Sequence, residues 1–196
     1  MNPAAELSPT QIRLLDATEQ LVYADGIRAT GMDSIVKASG VARKSIYRHY
    51  PNKEALVAAA LARRDEHWMQ WFVAETSAGT PRERLLAMFP ALGRWFRSEG
   101  FHGCAFINAA GEIGDAGSPI REVSRLHKQR LYDYVRELAE AAGLADPGEA
   151  ARQWLVLVDG AIAVALVMGD ASAADSAGRA AQALLAGPHP FSPTTG

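Results

Sequence analysis

The sequence predicts an all-α protein of about nine helices, with a small N-terminal domain followed by a larger helical bundle. Three observations carry this. Apolar residues recur at helical spacing along most of the 196 residues, and the alternation of a half-buried strand is nearly absent. Helix-start signatures repeat: Ser8-Pro9-Thr10-Gln11, Thr80-Pro81-Arg82-Glu83, Ser118-Pro119 and Asp146-Pro147 each put a capping side chain before a proline. The breakers between segments are short, at Ser77 to Gly79, Glu99-Gly100 and Gly114 to Ser118, as in a bundle of closely connected helices.

Taken in order, the first helix opens at Ser8, carries Ile12, Leu15 and Val22 on one face, and ends near Asp25-Gly26. Two short helices follow, over 31–38 and 42–49, around Ser39-Gly40-Val41. Thr30 is the expected cap of the first, with Asp33 in its opening turn. Pro51 closes the second, and Asn52-Lys53-Glu54 opens a long helix. Thr80 opens a helix bearing Leu85, Met88, Phe89, Leu92 and Phe96. Ser118 opens one that runs to about Ala142, and Asp146 opens a strongly apolar one that ends near Gly169. An alanine-rich helix covers 172–186. The expected division is residues 8–51, residues 52–186, and a tail of 187–196 whose prolines and glycines predict disorder.

Charge is asymmetric. The net charge is only -2, yet residues 1–64 carry a balance of +3 and residues 65–196 a balance of -5. A polyanionic partner therefore belongs at the front. The single cysteine, Cys104, excludes an intramolecular disulfide and suits a reducing compartment. The N-terminus lacks the basic and apolar regions of a signal peptide. The most apolar run, Trp154 to Met168, is shorter than the roughly 20 residues of a membrane span and contains Asp159. A soluble, cytoplasmic protein without a membrane partner is expected.

The informative stretch is Thr30 to Leu56, TGMDSIVKASGVARKSIYRHYPNKEAL. Gly40 supplies a left-handed turn residue, and Val41 tucks inward. The second short helix has Ile46 and Tyr50 four apart on its inner side. Arg43, Lys44, Ser45, Tyr47, Arg48 and His49 point outward. Two short helices around a glycine turn, the second basic outside and apolar inside, are the layout of a helix-turn-helix. A helix entering a major groove must be narrow, polar outward and anchored inward. Lys and Arg answer phosphate charge, and Arg can grip guanine bidentately. From Arg28 to Lys53 the balance is +5.

This run resembles the DNA-binding segment of the tetracycline-repressor (TetR) family of regulators. The likeness rests on Thr30, Gly40-Val41, Ser45-Ile46-Tyr47-Arg48-His49-Tyr50 and Lys53, and covers residues 12 to 56. It implies that Thr30, Tyr47, His49 and Lys53 touch phosphate, and that Arg43, Lys44, Ser45 and Arg48 face base edges or nearby backbone. It further implies a homodimer on a palindromic double-stranded operator, paired through the last two helices, with a small-molecule effector releasing a repressor. Ala42 departs from the family, standing where a capping serine is common. Lys44 replaces a residue that is often small.

Behind the head the sequence is less specific. Aromatic residues are dense, and Trp68, Phe72 and Phe89 are candidates for lining an effector pocket or for ordinary core. Asp159, in a very apolar helix, needs either a hydrogen-bonding neighbour or a ligand. Asn108, Glu112 and His127 are candidates of the same type. Cys104 is either a small buried hydrophobe or a redox or electrophile sensor. His102 and Cys104 are too few for zinc, and no nucleophile elbow, phosphate loop or HExxH occurs. No enzyme, cofactor or metal site is expected. The alternative class is a helical small-molecule-binding or interaction protein whose basic patch is incidental.

Overall fold

The computed structural model describes residues 7–187; the expected disordered tail lies, from residue 188 on, outside them. Among the described residues the chain forms nine α-helices and no strand. They are α1 (Pro9–Asp25), α2 (Met32–Ser39), α3 (Arg43–His49), α4 (Lys53–Glu75), α5 (Pro81–Phe96), α6 (Ala105–Glu112), α7 (Pro119–Ala141), α8 (Pro147–Met168) and α9 (Ala173–Ala186). The all-α class and the helix-turn-helix before a helical bundle are what the sequence predicts.

Helix starts follow their chemistry. The Ser8 hydroxyl accepts from the Gln11 amide at 3.3 Å, and the Ser8 amide donates to the Gln11 side chain at 3.1 Å. Thr80 and Glu83 make the same reciprocal pair at α5. Asp146 accepts from the Glu149 amide at 2.8 Å to open α8. The cap expected from Thr30 is not formed. Gly31 is the N-cap of α2 and is extended, so the helix starts one residue later. The Thr30 hydroxyl instead donates to the Gly26 carbonyl at 2.7 Å, and the residue is buried. Helix α6 likewise lacks a start signature: its N-cap is Cys104, which makes no side-chain cap bond.

The chain divides into two compact units, one of Met1–Met69 with Cys104–Lys128, the other of Gln70–Gly103 with Gln129–Gly196. The first is organised by a cluster of Leu14, Leu15, Ile35, Val41, Ile46, Leu56 and Ala60, from α1 to α4. Each large aliphatic side chain so buried contributes about 1.5–3 kcal/mol. Arg64 reinforces the α1–α4 contact, pairing with Glu19 and lying 3.7 Å over the Tyr23 ring.

The second unit packs α8 and α9 together and both against α5. Trp154 is buried against Phe89, and its indole N–H donates to the Leu85 carbonyl at 3.1 Å. The inward stripe of α8 is Ala150, Ala151, Trp154, Val158, Ala161, Ile162 and Ala165. Its outer side exposes Val156, Val164, Leu166, Val167 and Met168. At 22 residues α8 outruns the apolar stretch seen in the sequence. It is long and apolar enough to cross a membrane, with a third of its most apolar window buried in the fold.

Candidate nucleic-acid interface

The turn between α2 and α3 positions the interface. Gly40 adopts φ 67°, and its amide donates to Val36 O at 3.0 Å. This left-handed residue closes α2 and swings the chain into α3 at little cost, where a Cβ would be strained. Val41 and Ile46 then sink into the core of the first unit, at 5% and 1% exposure. Burying those two fixes the rotation of α3 and turns the basic residues outward.

Arg43, Lys44, Tyr47, Arg48 and His49 are exposed, and Ser45 is half-buried at the edge of the same face. Arg43 pairs with Asp33 of α2, a contact at the surface that leaves the guanidinium able to exchange partners. Tyr50 closes α3 as its C-cap, and burial pushes its phenol up. The Ala42 amide-end cap is bare, as the sequence predicts: no side chain satisfies the first turn of α3.

Two of the expected phosphate contacts have internal duties. Thr30 is buried and bonded to Gly26. The Lys53 ammonium, half-buried at the start of α4, donates to the Ile27 carbonyl. Asn52 caps this start, its side-chain oxygen accepting from the Ala55 amide at 2.8 Å.

The seven candidate ligand residues fall in different surroundings. Trp68 and His127 meet in the first unit, ring centroids 5.1 Å apart and edge-on. His127 is buried, with Nδ1 2.7 Å from Asp65 Oδ1. Glu112 is occupied: its carboxylate accepts from the amides of Ile27 and Arg28, both at 2.8 Å, and its carbonyl accepts from the Arg28 guanidinium. Asn108 is exposed on α6. In the second unit Phe72 is fully buried against Tyr134, Phe89 packs on Trp154, and Asp159 is half-buried on α8. A cleft of about 400 Å³ lies between α6 and α7, lined in part by Phe106, Ala110, Arg121 and Lys128. Sequence reasoning missed Asp65 and Lys128. Their partners lie on other helices, and no spacing rule connects them.

A rigid three-helix head that offers a short, basic, hydrogen-bonding helix defines a helix-turn-helix DNA-binding regulator. Comparison with known proteins agrees. A family model described as bacterial regulatory proteins of the tetR family matches residues 14–60, and one for the tetracyclin repressor-like C-terminal domain matches residues 81–181. The chain belongs to the TetR family of transcriptional regulators. It is 26% identical over 169 residues to the HTH-type transcriptional regulator YjdC of Escherichia coli, covering 85% of this chain and 88% of that one. Among solved structures it is similar to a TetR-family regulator, SCO4454, from Streptomyces coelicolor. The two share 29% identity at TM-score 0.82, over 90% of this chain and 94% of the other. A regulator from Streptomyces avermitilis, sav143, shares 30% identity at TM-score 0.76, over 89% and 99%.

Proposed function

We propose that this regulator is a cytoplasmic repressor acting as a homodimer on a roughly palindromic operator, released when a small molecule occupies its helical domain. The observation that carries the reading is the outward face of α3, five exposed cationic or hydrogen-bonding side chains held by two buried anchors, Val41 and Ile46. One such helix reads too few base pairs for specificity, so two heads related by a two-fold axis suit a palindrome. The outer side of α8 supports the pairing. Val156, Val164 and Val167 recur at helical spacing with the small residues Gly160 and Ala163, all exposed, and a second copy of the same surface would cover them.

Roles within the head follow position. Arg48, Lys44, Arg43 and Ser45 are assigned to base edges or adjacent backbone; Tyr47, His49 and Lys53 are assigned to phosphate, while Thr30, buried and bonded to Gly26, is assigned to bracing the head rather than to direct phosphate contact. An effector works only through a difference in affinity between two conformations. The α6–α7 cleft is the proposed entry point within the first unit, beside His127 and Trp68.

The test is selection of bound sequences from a random duplex pool with the purified protein at two salt concentrations. A two-fold symmetric site, weakened by salt, is the expected result. Failure of a folded, dimeric sample to enrich any sequence would overturn the repressor reading and favour a regulator that binds DNA only with its effector.

A further inference from the structure

Cys104 is the one cysteine of the chain, and three helices of the first unit converge on it with polar chemistry. Its Sγ accepts a hydrogen bond from Lys128 Nζ of α7 at 3.5 Å, and the neighbouring His127 side chain is a second polar influence on the thiol. His127 is oriented in turn by Asp65 of α4, 2.7 Å from Nδ1, with both residues buried. That leaves Nε2 as the ring nitrogen free to handle the thiol's proton. The Phe106 ring stacks on the imidazole at a centroid distance of 3.7 Å and 15° between planes, and Trp68 closes its edge. This is a nucleophile, a base and a carboxylate that orients the base, with an ammonium added.

The surroundings act on the thiol in opposite directions, and the polar ones prevail. Burial is the largest single influence and pushes it up. The His127 side chain, the charge of Lys128 and a backbone bond at Ile107 together outweigh it and hold it below its ordinary value. A cysteine serving only as a small hydrophobe needs none of these partners. The site also has a door. Phe106 and Lys128 belong both to the cluster and to the wall of the α6–α7 cleft, which is apolar along Ile107 and Ala110 and cationic at Arg121 and Arg125.

We propose that Cys104, His127, Asp65 and Lys128 form a nucleophilic site that captures small conjugated carbonyl compounds entering by the α6–α7 cleft, and that this adduct is the effector signal. The second half rests on the release mechanism proposed above. The sulfur lone pair forms a C–S bond at the β-carbon of an enone, and the π pair moves toward the carbonyl oxygen, beside the Lys128 ammonium. The proton that left the thiol through His127 returns to the α-carbon. The net change is addition of S–H across C=C, with no oxidant, reductant or leaving group.

The probe is methyl vinyl ketone on the full-length protein, read by intact mass and peptide mapping. One adduct, at Cys104, is expected to form at least tenfold faster in the folded protein than in urea at pH 7. Its rate should level off below the ordinary thiol pKa of about 8.5. His127→Gln should slow it about tenfold and move the pH profile upward; Asp65→Asn, removing a positioning residue, should do so less. Lys128→Met, at a half-buried position, serves as the second variant if His127→Gln loses helical content by circular dichroism. A folded-state rate no faster than in urea, or one indifferent to both His127→Gln and Lys128→Met, overturns the site. Operator affinity is measured in parallel on treated wild type and treated Cys104→Ser. A tenfold loss confined to wild type supports the signal, and an adduct without loss overturns it. Absence of operator binding before any treatment sinks the repressor reading instead and leaves the adduct result standing.

Discussion

Arg48 and Lys53 carry the same charge, yet the structure gives them different work. Arg48 is exposed on the outer face of α3, whereas the Lys53 ammonium is tied to the Ile27 carbonyl at the start of α4. Arg48→Ala should cost about 1–3 kcal/mol on the selected operator and relax preference at one base pair. Lys53→Ala should weaken all duplexes alike and reduce the salt slope by about one. Fluorescence anisotropy against a panel of single-base variants separates the two, and an interchange of the patterns would overturn the assignment. Ala42 gives a second residue-scale test. It leaves the first turn of α3 without a side-chain acceptor, and Ala42→Ser should stabilise the protein by about 0.5–2 kcal/mol, read as a higher urea midpoint at unchanged slope. This bare cap was legible in the sequence because capping is local. Thr30 was misread for a related reason: its hydroxyl had a nearby alternative in the Gly26 carbonyl, and Gly31 took the cap position.

At the scale of elements, α6 does more than its eight residues suggest. Its last residue, Glu112, holds the amides of Ile27 and Arg28, while Lys53 holds the Ile27 carbonyl, so the turn after α1 is gripped on both sides. Gly26 shows how closely the carboxylate fits: a Cβ there would stand 2.9 Å from Glu112 Oε1, on a backbone at φ +89°. Glu112→Ala should leave two amides without their acceptor, cost about 1.5–3 kcal/mol, and speed hydrogen exchange at Ile27 and Arg28 while α5 stays protected. Unchanged exchange there would show that the clamp is dispensable. Neither α6 nor its clamp could be read beforehand, since Cys104 caps nothing and Glu112 is 85 positions from Ile27. The α5 capping box was legible, and it carries a pH dependence. Its backbone and side-chain bonds to Thr80 hold the Glu83 carboxyl below the usual carboxylate range. A depressed folded-state value means that the carboxylate's contribution is present above the unfolded pKa of about 4.3 and is lost as pH falls through the folded one. The stability difference between wild type and Glu83→Gln should therefore be present at neutral pH and vanish in acid, measured by thermal melts at both.

For the whole molecule, the helix-turn-helix was the most legible part because glycine, apolar and basic positions must all agree within some 25 residues. The helical domain was legible only as periodicity: the pairing of Asp65 with His127, and of Lys128 with Cys104, arises from packing between distant helices. Assembly sits between these extremes. The sequence shows α8 apolar all round, and the structure shows which side is used within its own unit, leaving Val156 71% and Val167 82% exposed. In a two-fold interface each substitution counts twice, so aspartate at both positions places four carboxylates where apolar surface would be covered. Val156→Asp with Val167→Asp should leave helical content unchanged, since neither side chain contributes to the core, and should shift sedimentation from dimer to monomer. Two heads joined in one dimer bind the second half-site at high effective concentration, worth about 10²–10⁴ in affinity. The variant's operator affinity should fall by at least about a hundredfold on that account, while its weak binding to an isolated half-site is retained. Persistence of the dimer would place the interface elsewhere on the chain. A monomer that still bound the palindrome at wild-type affinity would refute the two-headed mechanism itself.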